Sequence, residues 1–175
     1  GFGNRNNDAT YALARAGADA DWDVVRFDWT VNYFLPRQWV LHVAMNGPWS
    51  NAPLLPGEQF GLGGAHSVRG LNERELVADS GLRLGLEIIS EPIPGLLGLT
   101  ALGFVDSGYF DRSEAQIGEL QDDGIVSAGV GLRWQYQGLS LETSYGHVLD
   151  EGQGLLATSP NIQGSRWHFS LFYVF

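Results

Sequence analysis

The chain has 175 residues, 44% of them hydrophobic, with 24 glycines, six Trp, six Tyr, nine Phe and no cysteine. That profile excludes general disorder, a disulfide framework and thiolate metal sites, and it suits turn-rich β-structure better than a helical domain. A formal net charge of −10 leaves few cations to neutralise phosphates, which argues against nucleic acid as a partner and against a polybasic patch for anionic lipid. The acidic residues gather at 19–23, 73–79, 111–123 and 150–151, in segments read as loops, where they keep the surface solvated.

The first segment with any pattern, 10–18, is alanine-rich and reads either as a strand or as a helix. In 25–35, Val25, Phe27, Trp29, Val31 and Tyr33 alternate with Arg26, Asp28, Thr30 and Asn32. Segment 39–47 follows the same rule with more noise, and in 81–89 Leu82, Leu84, Leu86 and Ile88 alternate with Arg83, Gly85 and Glu87. Segment 97–106 is again noisier. In 126–136, Val126, Ala128, Val130, Leu132, Trp134 and Tyr136 stand against Ser127, Gly129, Gly131, Arg133 and Gln135. In 139–149, Leu139, Leu141, Thr143 and Tyr145 stand against Ser140, Glu142, Ser144 and Gly146. The last segment, 166–175, sets Trp167, Phe169, Leu171, Tyr173 and Phe175 against Arg166, His168 and Ser170.

Period-two alternation makes one face apolar and the other polar, which both a soluble β-sandwich and a transmembrane β-barrel require. Three details favour the barrel. Full charges (Arg26, Asp28, Arg83, Glu87, Arg133, Glu142, Arg166) stand in mid-strand, as a wet or ion-paired lumen permits. Aromatics such as Trp22, Tyr33, Trp49, Tyr109 and Tyr136 cluster towards strand ends, as interfacial girdles do. Short connections (36–38, 90–95, 137–138) alternate with long ones (50–80, 107–124, 150–165). The expectation is an all-β fold: an antiparallel transmembrane β-barrel segment of about eight strands, with both ends on the short-turn, periplasmic side. No stretch spans as a helix, since 38–57 carries Pro48, Pro53 and Pro56 and 92–105 is too short. No signal peptide is visible at the start, which reads as a fragment or as a chain whose targeting segment has been removed.

The most specific stretch is 60–87, FGLGGAHSVRGLNERELVADSGLRLGLE. Gly63-Gly64 followed by Ser67-Val68-Arg69-Gly70 resembles the loop-tip motif of the Omp85 superfamily, with Leu71 where Phe or Tyr is usual. The short acidic spacer, Asp79-Ser80-Gly81 and Leu86-Glu87 resemble its two-partner-secretion branch, the TpsB transporters of haemolysin secretion/activation type. Phe104-Val105-Asp106-Ser107-Gly108 resembles the inward-facing Phe-x-Asp element of the same superfamily. The resemblance implies that the loop folds back into the lumen, with Arg69 meeting Asp106 and Glu87 as a second candidate. Strand parity agrees: Glu87 lies on the polar face with Arg83, and Asp106 shares parity with Thr100 and Phe104. Arginine suits such a role because its planar fork takes a carboxylate bidentately, and Gly70 permits a tight bend against the wall.

The resemblance further implies the last eight strands of a sixteen-stranded barrel, preceded by periplasmic POTRA domains upstream of Gly1. Its function would be export of one large β-helical exoprotein, without nucleotide, cofactor or metal. Outer-membrane lipid and the barrel-assembly machinery would be the other partners. The final segment, with Trp167, Phe169, Leu171, Tyr173 and terminal Phe175, resembles the C-terminal signal that this machinery reads as an unpaired strand edge; the alternative is an ordinary buried edge strand. Three other functions stay open: an Omp85-type insertase, disfavoured by the compact segment after Gly70; a diffusion porin, which needs no Arg69–Asp106 pair; and a soluble β-sandwich binding module.

Other motifs carry less. Residues 61–66 lack the third glycine and the helix of a dinucleotide loop. His42, His66, His147 and His168 share no ligand spacing, with His42 and His168 read as lumen-facing. Asp122-Asp123-Gly124 reads as a hairpin turn rather than a calcium loop. No nucleophile elbow surrounds Ser67, so a triad with His66 and Asp79 has no support and no enzymatic activity is expected.

Overall fold

A computed structural model describes residues 8–18, 21–115, 117–153 and 164–174. Helix α1 (Asp8–Ala14) precedes nine strands: β1 (Val24–Phe34), β2 (Val40–Ser50), β3 (Phe60–Leu62), β4 (Leu76–Ala78), β5 (Ser80–Ile89), β6 (Leu99–Asp111), β7 (Asp122–Tyr136), β8 (Leu139–Asp150) and β9 (Ser165–Tyr173). Seven of them form one antiparallel sheet in the order β1-β2-β5-β6-β7-β8-β9, while β3 and β4 make a separate ribbon. Each inner strand of the large sheet thus pairs with the previous and next wall strand, the up-and-down wall of a transmembrane barrel. The sheet is open: among the described residues β1 and β9 each pair on one side only.

The register turns the period-two pattern into continuous rows. One row runs Thr30, Ala44, Gly85, Asp106, Ser127, Val148; the next runs Asn32, His42, Glu87, Phe104, Gly129, Gly146. These are the concave, polar face. The opposite face carries Trp29, Met45 and Leu84 in one register row, with Val130, Trp167 and Phe169 farther along. Val130 is 64% exposed and Phe169 72%. In water such a surface would be an aggregation site; against hydrocarbon it is the favourable arrangement. Tyr33, Trp134, Tyr136 and Tyr173 lie near the short turns, and Trp49 and Tyr109 near the long loops. Interior-facing His42 sets Nδ1 2.8 Å from Oδ1 of Asn32.

Three expectations need correction. Within segment 10–18, the alanine-rich stretch is helical rather than a strand: α1 is seven residues long, Arg15 N donates to Tyr11 O at 3.0 Å, and Gly17 leaves the helix at φ 79°, a left-handed exit natural to glycine. Among the described residues the wall has seven strands rather than the eight expected, and β1 enters from the long-loop end while β9 finishes at the short-turn end. Asp122, Asp123 and Gly124 do not turn but open β7, pairing with Asp111, Phe110 and Tyr109. The Asp123 carboxylate there accepts from Gln153 N at 3.0 Å, so the side chains that suggested a turn serve the neighbouring connection instead.

Facing decides tolerance. In the full-length protein, Val130→Arg at mid-strand on the apolar face should destabilise the barrel by about 2–4 kcal/mol, whereas Thr30→Arg on the concave face should cost far less. Urea unfolding in lipid vesicles measures both, and equal losses would contradict the assignment of faces.

Candidate functional site

The connection between β2 and β5, residues 51–79, lies against the concave face and brings its own apolar side chains. Leu62, Val68, Leu71, Leu76 and Ala78 from the connection form one buried cluster with Phe110, Ile125 and Val148 from the wall. The ribbon β3–β4 stiffens its stem. Beyond the ribbon the chain folds tightly on itself: Ser67 N donates to Gly64 O at 3.1 Å, and Ser67 Oγ accepts from Gly63 N at 3.2 Å. Gly63, Gly64 and Gly70 have φ of 109°, 107° and 114°, values that side chains with a Cβ rarely adopt. Val68 packs into the cluster with no exposure, which turns Arg69 toward the wall.

Arg69 makes the contacts that define the site. Its Nε donates to Oδ2 of Asp106 at 2.7 Å and its Nη2 to Oδ1 at 2.8 Å, a bidentate pair. Its backbone N adds a third bond to Oδ2 at 3.1 Å. Nη1 reaches Oε1 of Glu87 at 2.5 Å. The guanidinium also lies over the Phe104 ring, Cζ 3.4 Å from the centroid, a cation–π contact strengthened by exclusion of water. Arg69 is 3% exposed and Asp106 not at all. The network continues along the wall: Arg133 Nη2 is 3.5 Å from Oε2 of Glu87, and Arg133 Nε donates to Oε2 of Glu142 at 2.8 Å. Asp106, Arg69, Glu87, Arg133 and Glu142 thus link the loop to β5, β6, β7 and β8.

The wall is shaped for the backbone of the tip. A Cβ at Gly146 of β8 would fall 2.5 Å from the Arg69 carbonyl carbon and 2.7 Å from Gly70 N. Only a residue without a side chain lets the loop lie there.

A second cluster closes the long-loop end. Arg15 places Nη1 and Nη2 on the two oxygens of Asp79, the Nη2 bond measuring 2.8 Å. Leu54 N donates to Asp79 Oδ1 at 2.8 Å and Ser113 N to Oδ2 at 3.0 Å. Arg15 Nη1 also reaches Leu54 O at 2.8 Å. One fully buried carboxylate thereby joins the segment after α1, the start of the β2–β5 connection, the foot of β5 and the β6–β7 connection. Burial pushes the Asp79 pKa up, but the bonds from Arg15, Leu54 N and Ser113 N together with the Arg15 charge outweigh it and hold the carboxyl below the usual range.

The profile of the haemolysin secretion/activation proteins ShlB/FhaC/HecB matches residues 2–134. The chain belongs to that family. The outer membrane assembly factor BamA of Nitratidesulfovibrio vulgaris is 35% identical over 107 residues, covering 55% of this chain and 13% of the relative. CdiB from Acinetobacter baumannii superposes with a TM-score of 0.63 at 22% identity, over 87% of this chain and 27% of that one, a likeness of fold. The chain therefore spans a small part of the length of these relatives. Family and fold are those of transporters, and the place of this ShlB/FhaC/HecB-family wall is the outer membrane.

Within this family wall, the structure brings Arg69, Asp106 and Glu87 together and places Gly63, Gly64, Ser67, Val68 and Gly70 in the tip that delivers Arg69. Trp167, Phe169, Leu171 and Tyr173 line the apolar face of β9; Phe175 lies outside the described residues. Ser67 and Asp79 are engaged separately, with Gly63 and Arg15. Sequence reading did not reach Phe104 as a ring beneath Arg69, the Arg133–Glu142 extension, the tip-bearing Gly146 or the Arg15–Asp79 pair. Parity marked Arg133 and Glu142 as polar-face charges, but only the register makes them opposite; nothing local links Arg15 to a residue 64 positions away.

Because the depressed pKa belongs to Asp79, its contribution is present above the unfolded carboxyl pKa and is lost as pH falls through the folded one. Protease cleavage of the β2–β5 connection on intact cells should be slow at neutral pH and accelerate in acid below the ordinary carboxylate range. Arg15→Gln should accelerate it at neutral pH, and Arg15→Gln with Asp79→Asn should be milder than Arg15→Gln alone, since no bare carboxylate remains.

Proposed function

We propose that this chain supplies part of the wall and the lumen-inserted loop of an outer-membrane pore that exports one large exoprotein by two-partner secretion. The remaining wall strands would come from residues outside this chain, with POTRA domains preceding the barrel. The carrying observation is the Arg69 guanidinium, buried on Asp106, Glu87 and Phe104 across two wall strands. A static plug needs only the apolar cluster; a charged, bidentate contact adds a single register and two discrete states, held or released. In this reading the Arg69 contact gates the pore, no nucleotide or cofactor takes part, and passenger folding outside the cell supplies the driving force.

The likeness to BamA favours a second reading, insertion of other barrels. Against it stands the compact segment from Gly70 to Ser80, which runs almost directly into β5. Deleting the gene in its host separates the two: loss of one large exoprotein with other barrels unchanged supports export, and a general fall in outer-membrane proteins supports insertion.

Arg69→Ala in the full-length protein should leave the barrel assembled but its loop tip unheld, so that the pore no longer cycles between held and released states and export falls by at least about tenfold, the factor that 1.4 kcal/mol produces. Export at the parent level would remove the gating role. The aromatic alternation of β9 is the proposed assembly signal. Phe175→Ser should accordingly slow barrel assembly, seen as accumulation of the unfolded form in the periplasm, with little change in the assembled fraction's export per molecule.

A further inference from the structure

Arg83 stands on the concave face of β5, opposite Asn46 of β2 and Gly108 of β6. The next residue on that face is Gly85, opposite Asp106. A Cβ built on Gly85 would lie 3.5 Å from Nη2 of Arg83 and 3.4 Å from Oδ1 of Asp106. The two charged groups therefore end on either side of one side-chain position that is left empty. Nε of Arg83 is shielded from solvent and has no hydrogen-bond partner. The charges that face it are Asp106, Glu87 and Asp28, which attract it, and Arg69, which repels it.

While Arg69 holds both oxygens of Asp106 with three hydrogen bonds, Arg83 makes no ion pair with it. If the loop tip leaves, Asp106 faces the lumen without the arginine and the three hydrogen bonds that Arg69 gave it, with Arg83 close by. Glu87 does not share this difficulty, because Arg133 already stands beside it at 3.5 Å. The wall thus carries one arginine for each carboxylate that Arg69 vacates: Arg133 for Glu87 and, across the gap at Gly85, Arg83 for Asp106.

We infer that Arg83 is the standby counter-ion of the gate, swinging over Gly85 to pair with Asp106 when Arg69 withdraws. The loop-out wall is then charge-compensated, and the closed and open states differ by an exchange of arginines rather than by the exposure of a bare anion. This inference rests on the gating reading above and assigns Arg83 a positioning role in the open state.

The test uses the full-length protein carrying Arg69→Ala, Arg83→Gln, both, and both with Asp106→Asn. Planar-bilayer conductance reads opening and the heat-modifiable shift on gels reads barrel stability. Arg69→Ala should raise the open fraction. Arg83→Gln should lower it, by at least about fivefold, the low end of coupling between linked sites. The double variant should lose its folded band at a lower temperature than the two single effects predict together, and Asp106→Asn should restore it. Strict additivity, a raised open fraction in Arg83→Gln, or no recovery with Asp106→Asn would overturn the inference. The gating reading fails separately, if Arg69→Ala leaves conductance and export unchanged. In that case non-additive barrel stability would still support Arg83 as the Asp106 counter-ion, and additivity would refute it.

Discussion

A guanidinium buried between a loop and a barrel wall is costly unless carboxylates meet it in the right plane, and most of this structure can be read from that constraint. Arg69 is satisfied because Asp106 and Glu87 occupy adjacent rows of the concave face, on neighbouring strands, with Phe104 opposite Glu87 and on the strand of Asp106. The strand register must be correct to one residue, since a slip would send Asp106 or Glu87 to the apolar side. The loop must also come close enough for its backbone to touch the wall, which requires Gly146 below and a glycine at 70 above. The charge, the register and the glycines are therefore one requirement seen from three sides.

The loop is held in two chemically different ways. Near its tip the contact is ionic and bidentate, with few atoms involved. Between tip and foot the contact is apolar, a cluster in which Phe110, Ile125 and Val148 receive the loop's leucines and valine. At the foot Asp79 gathers backbone donors from two connections and the side chain of Arg15. In the proposed gating reading the base stays anchored while the tip is released, which the all-apolar packing of a permanent plug would not allow.

The interior of this wall is unusual in being ionic where a soluble domain would be apolar. Arg133, Glu87 and Glu142 compensate one another across β5, β7 and β8 while staying partly exposed. A polypeptide passing along such a surface would meet paired rather than naked charges, and so would not be held strongly at any single point. The proposed export, with no energy source in the membrane, would require that absence of deep minima.

Alternation is a local property, and it was enough to place most of the strands and their two faces. The sequence of polar and apolar residues from Val25 to Tyr33, or from Trp167 to Tyr173, states which side chains face lipid, because successive residues on a strand must point to opposite faces. The loop-tip motif and the Phe-x-Asp element brought Arg69, Asp106 and Glu87 to notice together. What the sequence by itself could not decide was anything that depends on which strand lies beside which, and at what offset. Residues 10–18 have a composition compatible with helix and strand alike, and Asp122-Asp123-Gly124 has the chemistry of a turn yet extends a strand because Asp111 and Phe110 are there to pair with it. The Arg15–Asp79 pair, the Arg133–Glu142 extension and the position of Gly146 under the tip exist only once the chain has closed contacts over tens of residues, since side-chain periodicity fixes direction but carries no information about distant neighbours.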